Sequence, residues 1–247
     1  LRVLTAIPVD PSTTRNDFLD YSKIVVKKPW GYEYLIFQND SVCAWILYIK
    51  KGCRTSFHCH PHKKTSIIVL SGDARHVTFE DAVIRRESEG VLIGEGVFHR
   101  TEAASEHGTF VMELETPVNK RDLVRSQDDY GREKKGYASV EHMAMNVQEY
   151  NYNSFIDPKG QYNVEKRFGN CGIKVVKCAV VADFRKIISS SQWDILSILK
   201  GQAYNELSKM IFTEVDALIP DDIGDHSSWN IQGEVEVLII RKIDALP

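Results

Sequence analysis

The sequence predicts an all-β protein made of two similar β units, and two observations indicate this. Short apolar or alternating runs follow one another along most of the chain, separated by Gly, Asn and Asp, which is typical of a β sandwich or barrel. The second half also repeats part of the first, as two copies of one β unit would. A length of 247 residues suits one large β domain or two domains of about 100 to 150 residues.

Four segments follow one another along the chain. Residues 1–22 carry prolines and Ser, Thr, Asn and Asp clusters that predict an irregular N-terminal arm. Residues 23–118 hold the first set of strands, residues 119–149 form a charged connector, and residues 150–247 hold the second set. The predicted strands of the first set are YLIF (34–37), AWILYI (44–49), SIIVL (66–70), GVLI (90–93) and TFVMEL (109–114). Those of the second set are GIKVVKCAVVADF (172–184), WDILSIL (193–199), KMIFTEVDALIP (209–220) and EVEVLIIRK (234–242).

Composition and charge exclude several classes of protein. The formal net charge is −3, which does not indicate a polyanion-binding surface, so we expect no nucleic-acid partner. No apolar run approaches the roughly 18 to 20 residues that span a bilayer, so we expect no membrane partner. The five cysteines are odd in number and form no CxxC pair, which favours a reducing, cytoplasmic setting.

Three histidines in SFHCHPHKKT (56–65) carry the strongest functional signal. His58, His60 and His62 are spaced two residues apart, so in an extended strand their imidazoles would share one face. A β barrel could bring His99, which follows a GEG turn, across from them. Imidazole nitrogens bind transition metals, so the cluster predicts a divalent metal ion, with Zn, Fe, Mn and Ni left open.

Two motifs around these histidines resemble those of the cupin superfamily. Gly52-x5-His58-x-His60 is similar to the start of the first cupin motif, G-x5-H-x-H-x3,4-E-x6-G, and GEGVFH, ending at His99, is similar to the second, G-x5-P-x-G-x2-H. The resemblance implies a small jelly-roll β barrel with the metal ion inside it. Together with the internal repeat, it predicts two jelly-roll β barrels, a bicupin of the RmlC-like type, with the metal ion in the first barrel. It also implies that His58, His60 and His99 are the metal ligands.

The carboxylate of the first cupin motif is absent, because Lys64 and Thr65 stand at its two permitted positions. We expect the coordination sphere to be completed either by waters or by His62 or Glu113. Glu113 alternates with Glu115 along one face of TFVMELE, which faces either solvent or the pocket. The same two side chains are our candidates for a catalytic base, Glu113 first and His62 second.

The first half is more specifically similar to the type II mannose-6-phosphate isomerase domain, often found at the C-terminus of mannose-1-phosphate guanylyltransferases. Blocks of that family follow in order over residues 24–133. They are KPWGYEYLI (28–36), the histidine cluster, VLSGDA (69–74), GEGVFHR (94–100), FVMELETP (110–117) and RDLVRSQDDYGR (121–132). The last block is the most specific, because the family closes with DDIVRxxDxYGR. The resemblance implies an isomerase or epimerase of a sugar phosphate or nucleotide-linked sugar.

Four side chains are predicted to bind the substrate. Arg54 shares a face with the histidines if their strand extends that far back, and its guanidinium could hold a phosphate bidentately. Lys64 and Arg100 are alternative anchors. We expect Tyr32, in the KPWGYEY block, to line the pocket.

The repeat predicts that the second unit is degenerate. SIIVLSGDA (66–74) resembles ILSILKGQA (195–203) at an offset of 129 residues, and at that offset the three clustered histidines fall on Ile187, Ser189 and Ser191. The second unit is therefore expected to lack the metal site and to serve structure or assembly.

Three functions remain open at this point. The first is a metal-dependent isomerase or epimerase acting on a small-molecule sugar or sugar phosphate, in a chain expected to be a homodimer. The second is an Fe(II)-dependent dioxygenase, because a histidine-rich site with open positions suits oxygen chemistry. The third is a non-catalytic carbohydrate-binding or assembly protein.

Overall fold

The computed structural model describes residues 21–132, 143–144, 147–150, 152–155, 162–190 and 192–243. Most of the predicted N-terminal arm (1–22) and part of the predicted connector (119–149) lie outside the described residues. Among the described residues, no helix combines the length and the hydropathy needed to cross a membrane.

The described chain is dominated by antiparallel strands. In the first half they are β1 Val25–Lys28, β2 Gly31–Gln38, β3 Cys43–Ile49, β4 Phe57–Cys59, β5 Lys64–Ser71, β6 Ala74–Thr78, β7 Ala82–Arg85, β8 Gly90–Ile93, β9 His99–Ala103, β10 Thr109–Thr116 and β11 Val124–Gln127. The later strands are β12 Met143–Ala144, β13 Glu165–Phe168, β14 Cys171–Cys178, β15 Ile195–Asn205, β16 Ile211–Phe212, β17 Ala217–Leu218 and β18 Trp229–Lys242, and helix α1 spans Val181–Ile188.

The first unit is a jelly roll of two antiparallel sheets. Sheet A has the strand order β12-β1-β2-β3-β10-β5-β8, and sheet B has the order β11-β4-β9-β6-β7. Strands distant in sequence become neighbours: β10 pairs with β3 on one side and with β5 on the other. The predictions of an all-β fold and of a jelly-roll first unit are confirmed. Strands β11 and β12 belong to these sheets although they lie in the predicted connector.

The second unit repeats the strand order of sheet A and is a jelly roll only in part. In its sheet C, strands β14, β18, β15 and β17 pair in the same order as β3, β10, β5 and β8. The long strands β15 and β18 each correspond to two consecutive strands of the first unit. In the described residues, the single sheet C therefore stands in place of two sheets. Between β14 and β15, helix α1 stands where the first unit has β4, and neither β4 nor β11 has a counterpart among the described residues.

Both units contain an equivalent glycine turn. Gly72 lies between β5 and β6 with a φ of 76°, and Gly201 within β15 has a φ of 83°. A Cβ on Gly201 would lie 2.7 Å from the carbonyl oxygen of Glu234, so a side chain there would collide with backbone. The aligned glycines of the sequence repeat therefore perform the same bend in both halves.

Sheet A is buried on both faces. Inside the barrel, Trp45 and Leu47 of β3 belong to one buried apolar cluster. On the other face, Met112 of β10 belongs to a second cluster that also contains Leu238 and Ile240 of β18 in sheet C. Strands with two buried faces carry continuous apolar runs, which explains why AWILYI and SIIVL show so little alternation.

We expect the free energy of unfolding to depend on this shared cluster. Ile240 is fully buried between the sheets, so Ile240→Ala should lower the free energy of unfolding by about 2–5 kcal/mol. Ile211→Ala removes the same atoms from a side chain that is 60% exposed in the same unit, and should change it by less than about 0.5 kcal/mol. Chemical denaturation of both variants checks this, and equal effects would contradict the shared cluster.

Candidate metal centre

Four side chains of ligand type meet inside the first unit. His58 on β4, His60 just after it and His99 on β9 come from sheet B, and Glu113 on β10 comes from sheet A. One ligand atom from each lies within 4.8 Å of the other three, and all four residues are buried. The β4–β9 pairing sets His58 directly opposite His99, which explains how residues about 40 positions apart share one face.

Backbone carbonyls orient all three imidazoles. The Nδ1 atoms of His58, His60 and His99 bond to the carbonyl oxygens of Ser56 at 2.7 Å, Asp122 at 2.5 Å and Val97 at 3.0 Å. Since a carbonyl can only accept, each Nδ1 carries the proton and each Nε2 keeps its lone pair. The Nε2 of His99 is buried without a hydrogen-bond partner in the described structure. This arrangement, with one nitrogen anchored and the other directed inward, is the usual one for metal-binding histidines.

Burial keeps the histidines neutral. Desolvation, with a smaller contribution from the neighbouring His60, lowers the pKa of His99 to about 4, against the Val97 carbonyl, which raises it. Burial also lowers the pKa of His58, and of His60, where Lys63 adds to the effect. Neutral imidazole is the form that binds metal ions, so no proton has to be displaced from the histidines at pH 7.

The pKa values of the two glutamates of β10, Glu113 and Glu115, are shifted in opposite directions. Burial, reinforced by the negative charge of Glu115, raises the pKa of Glu113. Burial alone would raise the pKa of Glu115 as well, but Lys120 and Lys63 outweigh it and hold that pKa well below its usual range. The Lys63 Nζ donates to Glu115 at 2.7 Å, so Glu115 is committed to an ion pair while Glu113 faces the imidazoles.

The donor set suits a divalent metal ion despite the missing motif carboxylate. Thr65 is fully buried on β5, opposite Glu115, and brings only a hydroxyl to the position where the cupin motif has its Glu. Glu113, on the neighbouring strand, is opposite Ile67 and supplies a carboxylate to the cavity. Three imidazole nitrogens and one carboxylate oxygen are ligands that Zn, Fe, Mn and Ni all accept.

His62 does not join the cluster, contrary to the sequence prediction. Strand β4 ends at Cys59, and Pro61 and His62 form a turn that breaks the two-residue alternation. His62 is exposed, and its backbone N–H donates to the carboxylate of Asp122 at 2.9 Å. The structure therefore does not place His62 as the fourth ligand, and its position gives no support to its predicted role as second base.

The predicted anchors Arg54 and Arg100 lie away from the cavity. The Arg54 guanidinium forms two hydrogen bonds with Asp129, at 2.6 and 3.0 Å, and Arg100 Nε donates to Glu102 at 2.7 Å. His99 points inward on β9, so the next residue, Arg100, points to the outer face of sheet B. Neither arginine lines the cavity.

The other two predicted substrate residues are also placed elsewhere. Lys64 pairs with Asp216 of the second unit, with 2.6 Å between Nζ and the carboxylate oxygen. Tyr32 packs against Tyr48 on the outer face of sheet A, because its neighbour Glu33 takes the inward position on β2.

The cavity is instead lined by charged residues other than the four predicted substrate residues. They are Lys28, Glu33, Lys63, Glu115, Lys120, Arg125 and Arg132. Two signals pointed to Lys28, Glu33, Arg125 and Arg132: the alternation within the KPWGYEY block, and the specificity of the family's closing block.

Residues 119–132, which we call the strap, cover the cavity. Strand β11 of the strap pairs with β4, so that Arg125 lies opposite His58. The strap also provides the Asp122 carbonyl that orients His60. At its end, Arg132 donates two hydrogen bonds to Asp128, at 2.5 and 3.0 Å, and lines the cavity. The most family-specific block therefore serves to complete the site.

The second unit lacks these ligands at the equivalent place. Ile239 on β18 lies opposite Leu196 as Glu113 on β10 lies opposite Ile67. In the part of the chain that the structure describes, the first-unit cluster is the one group that brings three or more ligand-type side chains together in this way.

Comparison with known proteins supports the assignment of the first unit. Residues 16–128 match the family described as mannose-6-phosphate isomerase C-terminal. A mannose-1-phosphate guanylyltransferase of Sinorhizobium fredii is 29% identical over 105 residues, which is 41% of this chain and 20% of that protein. The chain thus spans about a fifth of the length of this curated relative. The resemblance predicted for the N-terminal half is confirmed.

Solved structures of low identity are also similar. A cupin-like protein from Thermotoga maritima has 18% identity and a TM-score of 0.37, covering 44% of this chain and 86% of that chain. A putative sugar phosphate isomerase from Acidithiobacillus ferrooxidans has 14% identity and a TM-score of 0.33, covering 37% and 63%. We infer no function from matches at this level.

Metal binding should distinguish His60 from His62. His60→Ala removes an inward-facing imidazole and should abolish the bound metal, whereas His62→Ala alters an exposed side chain and should leave it unchanged. Elemental analysis of protein purified without a metal-affinity tag measures both. A His60→Ala protein that keeps its full metal content would overturn the site.

Glu113→Gln should weaken metal binding while leaving the fold intact. We expect a loss at least as large as the roughly 10- to 100-fold caused by removing an outer partner of a metal ligand. The matched control is Glu102→Gln, since Glu102 lies on the same strand as His99 but pairs with arginines on the outer face. Calorimetric titration with Zn or Mn compares them, and equal affinities in the two variants would count against Glu113 as a ligand.

Proposed function

We propose that this chain, whose N-terminal half matches the mannose-6-phosphate isomerase C-terminal family, is a metal-dependent isomerase or epimerase of a phosphorylated or nucleotide-linked sugar. The observation that carries the proposal is the buried cluster of His58, His60, His99 and Glu113 inside the first unit. The family match and the charged lining of the cavity support it.

The four clustered side chains would hold the ion in the cavity. The chemistry that a divalent ion supplies at such a site is Lewis-acid polarisation of a carbonyl oxygen. The carbon next to a polarised carbonyl loses its proton more readily, so an aldose and its ketose can interconvert if a base lies within reach.

We assign the proton transfer to Glu33. Glu113 lies among the imidazoles, and Glu115 is committed to Lys63, which leaves Glu33 as the remaining carboxylate of the described lining. Glu33 is 5% exposed, and the Nζ atoms of Lys28 and Lys120 are 3.6 and 3.7 Å from it. The two lysines hold the carboxylate in place, and its oxygens are the groups that would accept the proton.

In this assignment the Glu33 carboxylate oxygen takes the proton from the carbon beside the carbonyl and returns it to the former carbonyl carbon. The hydroxyl group on the carbon that lost its proton becomes the new carbonyl, and its proton moves to the former carbonyl oxygen, so the reaction conserves every atom. Apolar side chains of the cavity, Leu47, Ile67 and Leu123, keep water from the reacting carbons.

Glu33→Gln should separate catalysis from metal binding. It should retain the metal and lower turnover at least about 100-fold, because general base catalysis typically contributes that much or more. Glu113→Gln should lose metal and turnover together, and His62→Ala should keep both. Turnover is measured on a panel of aldose and ketose phosphates and nucleotide-linked sugars with Zn-, Mn- or Fe(II)-loaded protein.

Two results would contradict the proposal. Failure of the metal-loaded wild type to convert any member of the panel would exclude the isomerase. Oxygen uptake with Fe(II), and none with Zn or Mn, would select the dioxygenase instead. The homodimer and the cytoplasmic setting expected from the sequence stay predictions.

A further inference from the structure

A buried ion pair stands beside the histidine cluster. Lys63 and Glu115 are each 1% exposed, and the Lys63 Nζ donates to Glu115 Oε1 at 2.7 Å. Buried ion pairs add little net stability on average, because the cost of desolvating both charges offsets their attraction. The pair is therefore better explained by its effect on the neighbouring ligands than by stability.

The two oxygens of Glu115 have different surroundings. Oε1 lies 3.8 Å from His60 Nε2, the nitrogen that keeps its lone pair. Two ligands of one tetrahedral ion lie at a similar spacing, roughly 3.3 to 3.6 Å for bonds of about 2.0 to 2.2 Å. Oε2 is contacted by the Cys43 thiol, which donates to it at 3.3 Å, and by Lys120, whose Nζ is 3.6 Å away. The oxygen nearer the cluster is thus the one that Lys63 holds.

Strand register connects Glu115 with the missing carboxylate of the cupin motif. Glu115 on β10 lies directly opposite Thr65 on β5, the position at which the motif has its Glu. Directly opposite residues of an antiparallel pair share one face of the sheet. The Thr65 hydroxyl is buried without a hydrogen-bond partner in the described structure. The chain therefore carries a carboxylate one strand away from the motif position, with a lysine bound to it.

We infer that Lys63 withholds Glu115 from metal coordination and thereby sets the metal preference of the site. With Glu115 held, the cluster offers three imidazoles and the single carboxylate of Glu113, a set that favours Zn, Fe or Ni. With Glu115 released, a second carboxylate would favour Mn, which prefers oxygen ligands. The inference rests on the metal site of the proposed function, and it does not depend on the isomerase reaction.

Calorimetric titration of the full chain with Zn and with Mn tests the inference. Lys63→Met preserves a long side chain, removes the charge and frees Glu115 Oε1. We expect Mn binding to tighten by roughly 10- to 100-fold, the range over which an outer partner of a ligand alters metal affinity, and Zn binding to tighten less. Lys64→Met is the matched control, because Lys64 pairs with Asp216 of the second unit, and should bind both ions like the wild type.

A double variant separates coordination from charge. Loss of a nearby positive charge alone would tighten the binding of both ions to the same degree, whether residue 115 is Glu or Gln. If the released carboxylate becomes a ligand, Lys63→Met should improve Mn binding much more in the wild-type background than in the Glu115→Gln background. Equal gains in the two backgrounds would overturn the inference.

Glu115→Gln alone provides a test that does not require Lys63→Met to fold. It leaves the buried ammonium of Lys63 unopposed beside the cluster, so both ions should bind more weakly. Unchanged affinities in this variant would count against any effect of the pair on the metal ion. Circular dichroism of each variant monitors the fold.

The same titrations keep the inference distinct from the proposed function. If neither the wild type nor Lys63→Met binds any of the ions, the metal site and the inference are rejected together. The expected pattern of affinities without turnover of any sugar would support the role of Lys63 and reject the isomerase. Identical affinities of the wild type and Lys63→Met for both ions would reject the role of Lys63 alone.

Discussion

Burial of sheet A on both faces is the constraint that fixes the rest of this molecule. One face closes the barrel and presents Glu113 to the imidazoles of sheet B, and the other packs on sheet C around Met112. Because side chains alternate along a strand, a shift of β10 by one residue would exchange the side chains of its inner face with those of its outer face. The position of the carboxylate and the docking of the second unit are therefore decided by the same strand, β10.

The sequence was sufficient for the fold of the first unit and for most of the cluster. His58, His60 and His99 sit in local patterns, a short strand and a turn before a strand, whose side-chain directions follow from spacing alone. Alternation placed Glu113 on one face of β10. It could not tell whether that face is the inner one, because sheet A is buried on both faces and its strands carry apolar residues on each. The second unit was harder to predict, since α1 replaces a strand that the repeat would have suggested.

The substrate residues could not be predicted for a different reason. Arg54, Lys64 and Arg100 are surface cations whose partners, Asp129, Asp216 and Glu102, are set by the fold rather than by neighbouring sequence. In the same way, the cations that do line the cavity depend on the path of the strap, which returns over the barrel to pair with β4. A single turn at Pro61 also sufficed to remove His62 from the cluster.

The central place of β10 links the second unit to the geometry of the histidine–glutamate cluster. Met112 and Leu114, which flank Glu113 along the strand, belong to the cluster shared with Leu238 and Ile240. The second unit, whose described residues hold no such cluster, thus acts as a backing for the strand that carries Glu113. A defect in the core of sheet C would therefore first displace the carboxylate of Glu113 from the imidazoles.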